Sequence, residues 1–389
     1  MQRMKMNKCD ICIIGGGAAG MTAAIAAASE DSTAEIVLLE KKEKLGKKLY
    51  ATGNGRCNLS NMACRKVESV LGFFDSIGIT TMADEEGRVY PRSQSAADVV
   101  FALESAVKGA GVRVIGDMAV SGVVMQPGAY PFSLGGIEAR KLIIACGGKA
   151  GPQYGCSGDG FKLARALGHS VNRPYPVLTG METEGTSELK GVRARGTAIL
   201  QRKGVTVAEE SGEIQFNDYG VSGICVMDLS RFLTLDEETS FSDYNLRLVL
   251  GPEDSASILD QRRHIAGLKA GDILLSIVNR KLAGVILSRA NIEKSKRISE
   301  LGDDEIAAIA QNLQEFDLAV RGARGWKYAQ CTGGGIPYSE VDEETMRSRL
   351  VSGLYFAGEI MDYDGPCGGY NLDHAWKTGI KAGRAATNV

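Results

Sequence analysis

Histidine is scarce in this chain of 389 residues, and neither sign of charge is in excess. The three histidines, His169, His264 and His374, are too few for a His-rich metal site, and the cysteines show no zinc-type pair of pairs. Lysine and arginine together number 45 against 47 acidic residues, which gives a net charge of −2. We identify no basic stretch interleaved with aromatic residues. The sequence therefore predicts no metal, no nucleic-acid partner and no membrane partner.

The sequence also lacks a leader segment and a long uninterrupted hydrophobic run. Residues 1–8 are polar and basic, and three glycines interrupt the apolar run that follows them. Ile11–Ala28 resembles a membrane span in hydropathy alone, but its Gly-rich centre favours a buried strand and helix. The odd count of nine cysteines is typical of thiols in a reducing compartment. These absences predict a cytoplasmic protein, and its length suits two or three domains.

What the sequence does contain is a dinucleotide-binding fingerprint near its start. The apolar run Ile11–Ile14 has the composition of a strand buried on both faces. Gly15, Gly17 and Gly20 follow in the spacing G-x-G-x-x-G, and an Ala-rich, helix-prone stretch comes next. The first glycine permits a tight turn, the second lets a pyrophosphate approach the backbone, and the third lets the helix pack closely. A second apolar strand ends at Glu40, an acid placed to accept a hydrogen bond from a ribose hydroxyl.

The chain carries no second fingerprint of this kind. Gly333–Gly335 lacks a third glycine in register, and Pro337 follows closely. Since a reductase that holds two dinucleotides would need two such turns, the tightly bound cofactor is predicted to be FAD, with NAD(P)H as a possible transient electron donor. A Gly-rich loop also precedes the helix predicted over Asp373–Ala386. The N-terminus of that helix would stabilise a reduced flavin by roughly 0.3–2 kcal/mol.

The middle of the chain has a different pattern. Short β-like runs separated by glycines and charges dominate from about Val177 to Leu250, which is typical of an antiparallel β unit. A helical pattern follows from Ser255 to about Val320, with Phe316 on its apolar face. The sequence therefore predicts an α/β fold: a discontinuous Rossmann-like domain interrupted by a β-rich and then a helical insertion.

Several further motifs resemble those of the BaiN-like family of bacterial FAD-dependent oxidoreductases. They occur in the family's order and span nearly the whole chain. Besides the turn at Gly15–Gly20, they are Thr52–Asn58 (TGNGRCN), Gly87–Pro91 (GRVYP), Gly155–Gly160 (GCSGDG), Gly220–Gly223 (GVSG) and Gly365–Leu372 (GPCGGYNL).

This resemblance implies a glutathione-reductase-type FAD domain over residues 1–177 and 321–389. It implies an inserted β-rich, barrel-like domain over residues 178–250 and a helical segment over 251–320. The cofactor-binding residues that follow from the fingerprint and the resemblance are Gly15, Gly17, Ala18, Ala19, Gly20, Glu40, Lys41, Lys48, Asn54, Gly55, Arg56, Cys57, Asn58, Val120, Ala145, Cys146, Gly147, Gly358, Glu359, Gly369, Tyr370, Asn371 and Leu372.

The sequence identifies no general acid or base, and much of the chemistry belongs to the cofactor. Arg56, Cys57 and Tyr370 are the catalytic candidates. Arg56 is suited to steady a phosphate or a reduced flavin. Cys57 is interpreted either as a residue with a redox or covalent role or as a small residue that fills a tight loop. The second interpretation is preferred, because a reactive thiol needs a lowered pKa. His374 is interpreted as a helix residue and not as a base.

Three functions remain open from the sequence. The first is an FAD-dependent oxidoreductase that takes hydride from NAD(P)H and reduces a small organic substrate. The second is a flavin oxidase that acts on a small amine or alcohol with O₂. The third is a non-catalytic FAD-binding protein, such as a partner in RNA modification. Whether NAD(P)H reduces the bound flavin separates the first from the second.

Overall fold

The computed structural model describes residues 7–233 and 239–388. Its strands are β1 (Asn7–Ile14), β2 (Ile36–Leu39), β3 (Ser60–Asn61), β4 (Thr81–Ala83), β5 (Arg88–Pro91), β6 (Arg113–Ile115), β7 (Val124–Met125), β8 (Phe132–Leu134), β9 (Ile137–Ile144), β10 (Asn172–Val177), β11 (Met181–Thr183), β12 (Arg193–Arg202), β13 (Val205–Asn217), β14 (Gly220–Ser222), β15 (Tyr244–Val249), β16 (Phe316–Ala323), β17 (Cys331–Gly335) and β18 (Leu354–Phe356).

The helices alternate with these strands in the outer parts of the chain and cluster together in its middle. They are α1 (Ala18–Glu30), α2 (Glu68–Ser76), α3 (Ala96–Gly109), α4 (Asp159–Ala166), α5 (Ile224–Leu229), α6 (Ser255–Arg262), α7 (Arg280–Arg289), α8 (Asp303–Gln314) and α9 (Tyr370–Thr387). None of the helices in the described ranges is both long and apolar enough to cross a membrane.

The chain forms two compact units. The first comprises Met1–Pro176 and Gln330–Val389, and the second comprises Val177–Ala329. The second unit is therefore an insertion in the first.

The first unit is built on a seven-stranded sheet in the order β6-β2-β1-β9-β8-β7, with β18 also paired to β9. Strands β6, β2, β1, β9 and β18 run parallel. All four residues of β2 and the last four of β1 are buried, because a parallel strand covered on both faces excludes polar side chains. This unit also contains a three-stranded sheet, β3-β5-β4, and a two-stranded sheet, β10-β17.

Helices α1 and α9 pack closely through small residues. A Cβ atom on Gly379 would lie 2.6 Å from the carbonyl oxygen of Ala19, and one on Gly383 would clash with the carbonyl oxygen of Ala23. Glycine at these two positions lets the helices touch backbone to backbone. The starts of both helices are thereby fixed relative to the sheet.

The second unit is a closed barrel in the order β11-β14-β13-β12-β15-β16, and its apolar core continues into the helices α6, α7 and α8. Gly220 and Gly223, from the GVSG motif, lie where β14 meets its neighbours. A Cβ atom at Gly220 would clash with the Met181 carbonyl, and one at Gly223 would clash with the Glu213 carbonyl. The motif therefore closes the barrel.

The predicted α/β fold with an inserted barrel is confirmed, but two details of the insertion differ. Phe316 is the first residue of β16 and not part of a helix, because α8 ends at Gln314 and the chain then pairs with β15. The barrel thus takes its last strand after the helical segment, and the first unit resumes at Gln330, later than the expected residue 321.

Candidate functional site

The three fingerprint glycines lie in the turn between β1 and α1, and two of them contact neighbouring backbone. Gly15 has φ +108°, and a Cβ atom there would clash with the carbonyl of Ala145. A Cβ atom on Gly20 would clash with the carbonyl of Gly15, so the helix packs directly on the turn. Gly17 differs from both, because a Cβ atom there would meet nothing within 4 Å. The space in front of Gly17 is open.

Helix α1 begins at this open space without a capping side chain. Gly17 is the N-cap residue, no side chain in the described ranges bonds to its cap position, and the first turn contains no acidic residue. The amides of a first helical turn have no partner inside the helix, and they carry a partial positive charge. This arrangement suits an anionic ligand such as a diphosphate.

Glu40 lies at the end of β2 and holds the glycine turn in place. One of its carboxylate oxygens accepts a hydrogen bond from the amide of Gly16 at 2.8 Å, and the other accepts one from the amide of Lys42 at 2.9 Å. The adjacent Lys41 donates to Ser157 at 2.5 Å and pairs with Asp159 at 2.7 Å. The end of β2 is therefore tied to the GCSGDG motif, whose Asp159 pKa is lowered by the hydrogen bond from Lys41.

A second polar cluster joins Lys48, Glu359 and Thr332. Lys48 pairs with one oxygen of the Glu359 carboxylate at 2.7 Å, and the Thr332 hydroxyl donates to the other at 2.8 Å. The same hydroxyl accepts from the amides of Lys149 and Ala150 at 2.8 and 3.0 Å. Burial lowers the pKa of Lys48, but the charge of Glu359, the hydrogen bond to it and the nearby Cys156 and Cys331 together outweigh burial and raise that pKa above its usual value.

The loop over residues 52–58 is tightly folded. Asn54 and Cys57 have φ angles of 55° and 58°, in the left-handed region. The guanidinium of Arg56 lies 4.7 Å from the centre of the Tyr90 ring and donates to the carbonyl of Gly53. Cys57 is buried, and burial raises its pKa to about 11, so its thiol stays protonated near neutral pH.

Residues just after this loop dock on the first turns of α9. The Ser60 hydroxyl donates to Asp373 at 2.6 Å, and Asp373 also pairs with Lys377 at 2.6 Å. The indole of Trp376 donates to the carbonyl of Leu59 at 2.8 Å. The loop and the start of α9 therefore form one rigid corner.

The loop before α9 is held by Asn371. Its side-chain amide accepts from the amide of Gly365 at 2.8 Å and donates to the carbonyl of the same residue at 2.8 Å. Gly369, the N-cap, has φ +108°, and a Cβ atom there would clash with the Ser60 carbonyl. No side chain in the described ranges caps α9 at this position. A second helix start is thus presented without a capping group.

His374 lies inside α9, one turn from its start. Its Nε2 atom and the hydroxyl of Tyr338 are 2.5 Å apart, and its ring stacks on that of Tyr363 with centroids 4.1 Å apart. Burial, together with the nearby charges of Lys381 and Lys377, lowers the pKa of His374 to about 3. The imidazole is therefore neutral in the folded protein.

Two contacts bring predicted site residues from distant parts of the sequence together. Gly15–Gly20 lies against Ala145–Gly147, since the amide of Ala145 donates to the Ile14 carbonyl at 2.8 Å. Gly358 lies beside Ala19, where a Cβ atom would come within 2.8 Å of the alanine methyl group. Val120 differs from these residues, because it packs on the apolar core of the first unit.

The sequence analysis missed three polar residues of this region. Ser157, Asp159 and Thr332 hold the predicted side chains of Lys41 and Glu359. The only signal in the sequence was their position inside Gly-rich motifs, because their partners lie more than 100 residues away or across a loop.

All nine cysteines lie in the described ranges, and none of them is in a disulfide. Within those ranges no group of acidic, His and Cys side chains could hold a metal ion.

Comparison with known proteins gives a consistent result. The family model described as "HI0933-like protein Rossmann domain" matches residues 9–72 and 62–385. The chain is 36% identical to the 3-dehydro-bile acid delta(4,6)-reductase of Clostridium scindens, over 97% of this chain and 98% of that protein. It is 25% identical to the ribosomal RNA dihydrouridine synthase of Escherichia coli, over 96% of each.

Among solved structures, the 3-ketosteroid delta1-dehydrogenase of Sterolibacterium denitrificans is similar in fold. The TM-score is 0.51 at 12% sequence identity, with 98% of this chain and 99% of that chain covered.

Proposed function

Because this chain belongs to the HI0933-like family of FAD-dependent oxidoreductases, we propose that it is a reductase that uses NAD(P)H to reduce an activated carbon–carbon double bond in a small organic substrate. The observation that carries the proposal is the 36% identity to a delta(4,6)-reductase over 97% of the chain. A double bond is activated when it is conjugated to a carbonyl group, because the carbonyl accepts the charge that hydride addition creates.

The residues of the first unit fit FAD. Gly17 leaves open space in front of the uncapped start of α1, where the amides of Ala18 and Ala19 would bind the diphosphate. Glu40 would hold the adenosine ribose through its remaining lone pairs. We assign the first unit, Met1–Pro176 with Gln330–Val389, as the FAD-binding domain. The full set of cofactor-binding residues expected from the sequence is retained in this proposal.

The start of α9 would hold the redox-active end. Bound FAD accepts and delivers hydride at its ring system. The amides of the first turn of α9, after Gly369, would stabilise negative charge on that ring, and Tyr370 to Leu372 would line it. Arg56, held against Tyr90, is placed on a loop that contacts the same helix through Ser60. Cys57 is assigned a packing role, because burial keeps its thiol protonated.

The test is anaerobic mixing of the purified protein with NADH and, separately, with NADPH, followed by flavin absorbance. Rapid bleaching by either donor is expected, and a conjugated enone added next should restore the oxidised spectrum. Flavin that resists both donors but is reduced by an amine or alcohol would favour the oxidase. Flavin that no donor reduces would favour a non-catalytic protein.

A second candidate substrate is RNA. The proposal that a uridine in RNA is reduced is supported by the 25% identity to a ribosomal RNA dihydrouridine synthase over 96% of the chain. This relationship weakens the expectation that no nucleic acid is a partner. The net charge of −2 favours the small substrate, since RNA binding rests mainly on phosphate contacts by basic side chains. Reduction of a uridine-containing RNA by the NADPH-reduced protein would decide in favour of RNA.

A further inference from the structure

The first unit has a groove on its surface, between α3 on one side and the turn after α2 and the end of β5 on the other. Its volume is about 890 Å³. The apolar part of its lining comprises the buried Ile79 and Pro91 and the partly buried Ile77, Ala102 and Ala106. None of the lining residues belongs to the predicted cofactor-binding set. The groove is therefore a separate feature of this unit.

Both walls of the groove are fixed by the fold. The amide of Arg92 donates to the carbonyl of Thr80 at 2.8 Å, which joins the end of β5 to the turn after α2. The amide of Ile79 donates to the carbonyl of Phe74 at 2.8 Å and holds that turn in place. The opposite wall is α3, whose other face is buried in the apolar core. A partner would thus meet a preformed surface.

Phe101 lies on the exposed face of α3 and lines the groove. Its exposed fraction is 72%, which is the largest among the exposed large hydrophobic side chains in the described ranges. Positions 98, 101, 102 and 105 follow the spacing of one helix face, so the ring projects beside Ala102 and Ser105. Removal of a phenylalanine ring from water is favourable. The face therefore offers a protruding apolar side chain next to an apolar depression.

The same groove carries one charge of each sign. Arg92 and Asp98 both line it, and both are exposed. No ion pair within residues 7–233 and 239–388 includes either of them, whereas the nearby Arg88 pairs with Asp84 at 2.8 Å. Both charges are thus available to groups of the opposite sign on a partner.

We propose that this face of α3 is a self-association surface, on which a second copy of this chain docks across a two-fold axis. In a two-fold interface the same patch serves both copies, so each contact between two different residues occurs twice. Phe101 of each copy would enter the groove of the other, and Arg92 of each copy would pair with Asp98 of the other. The inference is independent of the proposed reductase function, because it uses no residue of the predicted site.

The groove is less suited to other occupants. A small-molecule site encloses most of its ligand, whereas Thr80, Arg92 and Ser93 border this groove and are exposed. A nucleic acid would need an excess of basic side chains, and this groove has one cation and one anion. A protruding ring beside a depression, with charges of both signs on one face, is what two identical surfaces need in order to fit each other.

The first measurement is sedimentation equilibrium of the full purified protein at about 0.1–100 μM, where a concentration-dependent dimer is expected. F101S should raise the dissociation constant of the dimer by at least about thirtyfold, because the ring would be buried twice and buried aromatic rings dominate interface energies. The matched control is V124S, which alters another strongly exposed apolar side chain, on the edge strand β7. V124S should leave the dissociation constant unchanged.

The second measurement tests the reciprocal charge pairs. R92E and D98R should each raise the dissociation constant of the dimer by about tenfold, because each variant places like charges opposite one another twice. An equimolar mixture of the two variants should associate about as tightly as the wild type. Each like-charge contact of the two homodimers becomes an opposite-charge contact in the mixed dimer, which a fluorescent label on one variant detects.

A protein that stays monomeric over the whole concentration range would overturn the proposal. So would a dimer that F101S leaves intact or that V124S dissociates. A mixture of R92E and D98R that associates no better than either variant alone would overturn the two-fold arrangement. All four altered side chains are exposed, so circular dichroism and urea unfolding should confirm that each variant folds. Reduction of the flavin by NAD(P)H is measured separately, and its outcome does not bear on association.

Discussion

The two uncapped helix starts of the first unit, at α1 and α9, are alike in sequence but differ in their surroundings. Each has glycine at its N-cap and no capping side chain in the described ranges. A Cβ atom on Gly17 would meet nothing within 4 Å, whereas one on Gly369 would clash with the Ser60 carbonyl. Gly17 has φ −86°, which any residue adopts, and Gly369 has φ +108°.

The difference separates two uses of glycine. At α1 the missing side chain leaves space that the protein does not fill, so glycine there serves a ligand. At α9 the missing side chain is required by the fold itself, because the chain turns sharply against β3. The two starts also differ in charge: α9 has Asp373 in its first turn, whereas α1 has no acidic residue there.

The largest expected effect is on stability, from G369A. An alanine at φ +108° is strained, and its methyl group would displace the backbone of Ser60. We expect a loss of about 2–6 kcal/mol in the free energy of unfolding, or failure to fold. Urea unfolding of the apoprotein measures it. A loss no greater than that of G17A would remove the distinction between the two starts.

G17A should weaken FAD binding and leave the stability of the apoprotein nearly unchanged. Its backbone angles suit alanine and its methyl group meets no protein atom, so the free energy of unfolding of the apoprotein should change by less than about 1 kcal/mol. The methyl group would occupy the space left for the diphosphate. We expect the dissociation constant for FAD to rise by about tenfold, or about 1.4 kcal/mol. Fluorescence titration of the apoprotein with FAD measures this, and unchanged affinity would refute a ligand at α1.

An effect smaller than that of G369A is expected where the corner at α9 is held by Ser60. S60A removes the hydroxyl that donates to the buried Asp373 at 2.6 Å. We expect a loss of about 1–3 kcal/mol in the free energy of unfolding, typical of a hydrogen bond to a charged group. The matched control is S69A, whose hydroxyl makes an exposed bond to the carbonyl of Lys66. Equal losses of unfolding free energy in S60A and S69A would show that the bond between Ser60 and Asp373 adds no particular stability.

The smallest effect is a pH dependence confined to α9. The folded-state pKa of His374 is lowered to about 3 by burial, below the value near 6.5 in an unfolded chain. The unfolded state therefore binds a proton first, so stability is complete above about pH 6.5 and falls as the pH decreases towards 3.

Between pH 6.5 and 5 the wild type should lose about 1 kcal/mol more than H374Q. Urea unfolding at each pH measures both proteins. His169, whose pKa is also lowered by burial, titrates in both and cancels in the comparison. Parallel pH profiles for the two proteins would show that His374 is not held neutral by the fold.

The parts predicted correctly from the sequence are those governed by local rules. The strand, turn and helix from Ile11 to Glu40 follow from an apolar run and glycine spacing, and the structure contains them. Phe316 was misassigned because its spacing fits the apolar face of α8, whereas pairing with β15 determines its conformation. The spacing of apolar residues within one stretch carries no information about a distant pairing partner such as β15.

The side-chain clusters could not be predicted for the same reason. Thr332 reaches the amides of Lys149 and Ala150, and Lys48 reaches Glu359, across more than 180 residues in each case. The guanidinium of Arg324 lies 4.1 Å from the centre of the Tyr219 ring, which belongs to another loop. Such contacts arise from the packing of whole elements, and no pattern in a single stretch specifies them.

The most direct test of the account is a crystal structure of the protein with FAD bound. We predict that the diphosphate oxygens lie within about 3 Å of the amides of Ala18 and Ala19, in the space in front of Gly17. We predict that the flavin ring meets the amides at the start of α9, after Gly369. A diphosphate bound elsewhere, with the space at Gly17 left to solvent, would contradict the assignment of the two helix starts.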